Sequence, residues 1–169
     1  AGYVSMNNVK AEKNLRGIQF IHYDVNISNS EFIANKGSNV LYIVGDSSVA
    51  NIRSSKFISN KSTSVVTNHG TSDLIIDSCE FVSNVTDDNL INSQNTGHEL
   101  FYLTNSVIQG NKVEYDRDYL IGILNLSTIK LNRNKVVDNI GSCFDFNEIV
   151  DSIFVEENNN RIMKRLILI

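Results

Sequence analysis

The sequence predicts an all-β fold, a single-stranded parallel β-helix of about six coils. Three observations predict it. The stretch NSEFIAN, from Asn29 to Asn35, returns in degenerate form as SSKFISN ending at Asn60, SCEFVSN at Asn84, NSVIQGN at Asn111 and NRNKVVDN at Asn139. Taking Phe32, Phe57, Phe81, Ile108, Val136 and Phe154 as the large apolar residue of each copy, the spacing is nearly regular, with one shorter step at the end, from Val136 to Phe154. Between copies, apolar and polar residues alternate over runs of three to five, the two-residue period of a strand. Leucine-rich repeats share the period but need Leu at most fixed positions and a helical half. Here the positions are Phe, Ile and Val, and no amphipathic helix fits between them.

In chain order, residues 1–24 read as a blurred first coil or entry segment, with NNVKAEKN around Val9 as its copy of the repeat and Ile18 and Phe20 at strand spacing. Residues 25–160 carry the coils. Val25 and Ile27 alternate with polar residues, Asn29 interrupts, Phe32 follows, Asn35 interrupts again, and Val40, Tyr42 and Val44 resume the alternation. Later units repeat this with Ala50, Ile52, Ser54, Phe57 and Asn60, with Leu74, Ile76, Ser78, Phe81 and Asn84, and with Phe101, Leu103, Asn105, Ile108 and Asn111. A fifth unit has Ile129, Leu131, Arg133, Val136 and Asn139; the last, around Phe154, is partial. Residues 161–169 read as a terminal strand or the start of a further segment.

In such a solenoid, equivalent residues stack at the strand spacing of about 4.8 Å, so a repeated side chain becomes a ladder. Phe32, Phe57 and Phe81 are expected to form an interior aromatic stack, continued by Ile108 and Val136 and resumed by Phe154. Asn35, Asn60, Asn84, Asn111 and Asn139 are expected to form an amide ladder at a bend, where Asn tolerates unusual backbone angles and satisfies turn amides.

The F-x-x-N spacing over Val25 to about Asn158 resembles the repeats of the chlamydial polymorphic membrane proteins and, more widely, the pectin-lyase-like superfamily. That resemblance implies a right-handed coil. A Gly-Gly-Ala-Ile element often accompanies the repeat in those proteins; here KGSNVLYI from Lys36 and IGSCFDF from Ile140 are similar, with Ser38 and Ser142 in place of the second Gly. For a pectate-lyase-like enzyme the resemblance would imply a Ca²⁺ cluster of carboxylates and an Arg or Lys base near the long turns. Two turns after the Asn positions are enlarged: VTDDN with Asp87 and Asp88, and VEYDRDY with Glu114, Asp116, Arg117 and Asp118. As neighbours in successive coils they form a candidate hard-cation site, with Arg117 as base or substrate clamp, against the plain reading of solvated turn charge. No cofactor is expected otherwise.

Other candidates are sparse. Tyr23, Tyr42 and Tyr102 read as ordinary strand tyrosines, whereas Tyr115 and Tyr119, with Arg117, are the candidate sugar-stacking group. His22, His69 and His98 are scattered without zinc-ligand spacing. No G-x-S-x-G elbow or phosphate loop exists. Cys79 and Cys143 fall in different columns, too far apart for a disulfide, and read as small buried hydrophobes. N-x-S/T sequons stand at Asn26, Asn60, Asn84 and Asn125; if the chain is secreted by a eukaryote, Asn26 and Asn125 are the expected glycan sites, because Asn60 and Asn84 belong to the ladder.

Composition bounds the partners. With 15 Lys and Arg against 19 Asp and Glu, a net charge of -4, no basic stripe supports nucleic-acid binding. The start, AGYVSMNN, has no basic n-region, and the apolar run Leu166 to Ile169 is too short to span a bilayer, so membrane association is expected only through regions outside this sequence. Neither end carries a cap helix, and continuation of the chain or end-on docking of a protein is expected at the open coil ends. The expected function is a non-enzymatic structural or adhesive segment of a secreted or cell-surface protein, presenting flat faces to a protein or glycan partner. Alternatives are a polysaccharide lyase, hydrolase or carbohydrate-binding rod using the acidic turns, and a subunit or fragment of a large assembly.

Overall fold

The computed structural model describes residues 2–95, 99–115, 119–124, 128–147, 152–155 and 161–162. They form a parallel β-solenoid of about five turns, with no helix among them. Strands pair in parallel with their equivalents one coil on: Gly2–Asn7 with Tyr23–Ser28, then Lys36–Arg53, then Lys61–Asp77. These belong to a 13-stranded sheet wrapping most of the coil. A second, 7-stranded sheet is made of short strands, Lys10–Glu12, Glu31–Ile33, Lys56–Ile58, Glu80–Val82, Val107–Gln109, Lys135–Val137 and Arg161–Ile162.

The strand alternation read from the sequence becomes columns of buried residues. Val25, Ala50, Leu74, Phe101 and Ile129 stack in register, as do Ile27, Ile52, Ile76, Leu103 and Leu131. Leu41, Val66, Ile91 and Ile121 line the opposite wall. Each fully buried aliphatic side chain contributes roughly 1.5–3 kcal/mol, so the core is the main driving force for winding the chain.

Sharp corners flank each of the five short strands from Glu31–Ile33 to Lys135–Val137. Before it stand Asn29, Ser54, Ser78, Asn105 and Arg133; after it stand Ala34, Ser59, Ser83, Gly110 and Asp138, all at positive φ between 47° and 64°. A single left-handed residue turns the chain, and its N–H still reaches the next coil, as in Ala34 N–H to Ile58 O at 2.9 Å. The unusual backbone angle therefore belongs to the residue before each ladder Asn, not to that Asn.

The amides instead form a continuous ladder. Oδ1 of Asn60 accepts from both the backbone N–H (2.9 Å) and Nδ2 (3.1 Å) of Asn35, while Nδ2 of Asn60 donates to Phe32 O and to Oδ1 of Asn84. The pattern runs from Asn14 through Asn35, Asn60, Asn84 and Asn111 to Asn139. Beside it the rings of Phe32, Phe57 and Phe81 stack with centroids 4.9 and 4.8 Å apart.

Two features differ from the sequence reading. Phe154 lies in the large sheet in register with Lys130, and Ile162 takes the position after Val136 in the short sheet. The step from Val136 to Ile162 is of the same length as the steps of the earlier coils, so the final coil is not shortened; Phe154 simply belongs to the other sheet. Second, Cys79 is buried in the core as expected, but it is also hydrogen-bonded. It occupies a ladder of side chains at the first corner, in which Ser30 N–H donates to Ser55 Oγ, Cys79 N–H to Ser106 Oγ, and Ser106 N–H to Asn134 Oδ1. Its thiol donates to Asp77 O, as the Ser55 hydroxyl donates to Arg53 O. Cys143 stands in another column, between Ser142 and Phe144, which pair with Tyr119 and Ile121.

Candidate functional site

The amide ladder is satisfied within itself, while Asn68 Oδ1, Asn92 Oδ1 and Ser93 Oγ are buried without a hydrogen-bond partner; the residues singled out from the sequence lie on the outward columns and the turns. The first enlarged turn is held by its own backbone: Asp87 N–H donates to Ser62 O and Asp88 N–H to Thr63 O. Asp88 is absorbed locally, with Oδ1 accepting the N–H of Asn89 at 2.6 Å and Oδ2 accepting Nδ2 of Asn92 at 3.0 Å. Asn89 in turn accepts the N–H of Tyr119 at 2.7 Å, tying the two enlarged turns together. Glu114 sits beside Asp87, and the hydrogen bond and charge of Lys112, 3.3 Å away, hold its carboxyl below the usual range. Asp116, Arg117 and Asp118 lie outside the described residues, as do His98 and Asn125.

A calcium cage needs six to eight oxygens. Among the described residues no group of three or more His, Cys, Asp and Glu could hold a metal ion. The carboxylates that are described also fit poorly, because Asp88 and Glu114 already serve Asn92 and Lys112.

The remaining sequence candidates scatter. Tyr115 is 64% exposed at its turn. His69 is exposed on the strand Lys61–Asp77, and His22 faces Asp46 at 3.7 Å on the surface. Asn26 is half-buried, with Nδ2 3.4 Å from the hydroxyl of Tyr3; Asn60 and Asn84 are buried in the ladder.

One feature escaped the sequence reading. A groove of about 630 Å³ runs beside the first two coils, lined by Arg16, Gln19, Ser38, Asn39 and Tyr42. Gly17 makes its wall possible, since any Cβ there would collide with the Asn39 carbonyl. The Thr67 hydroxyl donates to Asn39 Oδ1 at 2.7 Å and so fixes which end of the amide is left to donate. Arg16 and Asn39 are distant in sequence, and folding brings them together.

The outward side of the short sheet carries a second pattern. Lys10, Glu31, Lys56 and Glu80 form one register column, alternating in charge, and Glu12, Ile33, Ile58 and Val82 form the other. Between them the buried phenylalanines point inward.

Comparison with protein-family models, with curated proteins and with solved structures found no match. No helix among the described residues is long and apolar enough to cross a membrane.

Proposed function

We propose that this chain is a non-enzymatic structural or adhesive β-helix segment of a secreted or cell-surface protein, offering its flat faces and coil ends to a protein or glycan partner. The observation that carries this reading is the unbroken run of the amide ladder from Asn14 to Asn139. Such a ladder fixes coil on coil and makes a stiff rod, while leaving the outward columns free to vary. The F-x-x-N repeat supports a right-handed coil akin to the pectin-lyase-like and chlamydial surface repeats. A place within a larger assembly is the same reading with a different neighbour.

A second reading, glycan binding, is favoured by the groove at Arg16, Asn39 and Tyr42, where an aromatic ring stands beside several hydrogen-bond donors. In either reading the acidic turns do no chemistry.

Incubation with a panel of polysaccharides, with and without millimolar calcium, tests this. Scaffold function expects no new reducing or unsaturated ends. Turnover that disappears in Asp87→Asn or Glu114→Gln would replace it with the enzymatic alternative.

A further inference from the structure

The alternating column on the short sheet has a property that a random surface lacks. Read in either direction, Lys10, Glu31, Lys56, Glu80 places opposite charges against its own reverse. Lys56 and Glu80 already attract along the stack, at 3.6 Å. We propose that this face is a self-association surface on which a second copy of this chain docks antiparallel, about a two-fold axis lying between the strands Glu31–Ile33 and Lys56–Ile58.

In that arrangement Glu31 meets Lys56 of the second copy, and Lys10 meets its Glu80. The neighbouring column places Ile33 against Ile58 and the reverse, giving an apolar centre flanked by ion pairs, the ordinary anatomy of a symmetric interface. Charge also selects the register. Sliding by one coil sets Glu31 against Glu31 and Lys10 against Lys56. Sliding by two coils keeps Lys56 against Glu80 but sets Glu31 against Val107 and Lys10 against Lys135, so it has fewer ion pairs and a like-charge pair. A parallel arrangement would instead press the charged column onto Ile33 and Ile58, burying unpaired charge. At the corner before the short strands no like charges meet, because Ser28 would face Arg53 and Asn7 would face Asp77, whereas at the corner after them Lys36 would face Lys61, a like pair that weakens the contact.

Four short strands offer a flat patch of about 10 Å by 19 Å, well below the roughly 800 Å² per partner of a standard interface. The contact is therefore weak in solution and sensitive to salt. Its value would come from many copies held close together. The proposal does not depend on the adhesive reading, which also allows contact through the groove and the coil ends.

Sedimentation equilibrium and small-angle scattering on the whole chain, up to millimolar concentration and at low and high salt, test it. The wild type is expected to dimerise at high concentration and to lose the dimer in salt. Lys56→Glu and Glu31→Lys, each alone, are expected to reduce association at least tenfold, because each faces a like charge across the axis. Mixed in equal amounts the two variants present opposite charges at all four positions, and association should return to the wild-type level. Should either variant fail to fold, the neutral pair Glu31→Gln with Lys56→Gln is expected to fold and to weaken the dimer. A wild type that stays monomeric, association unchanged in the variants, or a mixture that does not recover would each overturn the proposal. Unchanged association would point to the coil ends or the groove and leave the adhesive reading standing.

Discussion

Oδ1 of Asn84 accepts two hydrogen bonds from Asn60, one from its backbone N–H and one from its Nδ2, both at 2.9 Å. Asn84 returns the pattern by donating Nδ2 to Phe57 O and to Oδ1 of Asn111. One side chain thus satisfies three buried groups of its neighbours in the preceding coil. Asn84→Ala would leave the Asn60 N–H without its acceptor, take one of the two acceptors from Asn60 Nδ2 and remove a donor from the Phe57 carbonyl, and is expected to cost about 2–3 kcal/mol. Urea unfolding of the variant would show it as a lowered midpoint with an unchanged slope.

The phenylalanine stack predicts a graded response. Phe57 lies between two parallel rings and is fully buried. Phe57→Ala is expected to destabilise by about 3–5 kcal/mol, and Phe57→Leu by less, since it keeps most of the volume but not the stacking. Thermal melts of the two variants check the order.

Cys79 predicts a pH dependence. Burial pushes its thiol up to about 12, from an ordinary value of 9.0. The folded state holds this proton more tightly than the unfolded chain, so its contribution is complete below about pH 9 and falls as pH rises toward 12, by at most about 4 kcal/mol. Cys79→Ser restores the hydroxyl found at Ser30, Ser55 and Ser106, and is expected to fold normally without that alkaline loss. At pH 8 the native thiol should resist alkylation and react only in denaturant.

Gly70 stands at φ 105°, and a Cβ there would lie 2.5 Å from the carbonyl oxygen of Gly45 in the preceding coil. Gly70→Ala combines a strained backbone with a collision against main chain that cannot retreat. About 3 kcal/mol of destabilisation is expected, measurable by calorimetry. Gly110, at φ 64° and with a Cβ there only in ordinary contact with Ser83 Oγ at 3.7 Å, should accept Ala at much lower cost.

Calcium up to millimolar concentration is expected to leave the melting temperature unchanged, since Asp88 and Glu114 are engaged by Asn92 and Lys112. A saturable rise, lost in Asp87→Asn, would show that the turns hold a cation after all.

The repeat made the coil legible because stacking converts sequence period into spatial column, and the nearly even spacing of Phe32, Phe57 and Phe81 leaves little freedom in register. The Ser and Cys ladder was present in the same copies, two positions before each large apolar residue. It passed unread because small polar residues are common throughout this chain. Phe154 misled because hydrophobic type alone does not tell which sheet a strand joins; pairing does. The groove and the reversed-charge symmetry of Lys10, Glu31, Lys56 and Glu80 depend on which residues lie side by side one coil apart.

By itself, then, the sequence determined the winding: Phe and Asn at a recurring interval can all be buried and satisfied together only when equivalent positions lie one above another. Only the tertiary structure decided the surface. The wall at Gly17 and Asn39, the tie from Asn89 to the Tyr119 N–H, and the order of charges down the short face arise from contacts between neighbouring coils, whose residues are distant in sequence. Outward positions are under no packing constraint that would write a period into the chain.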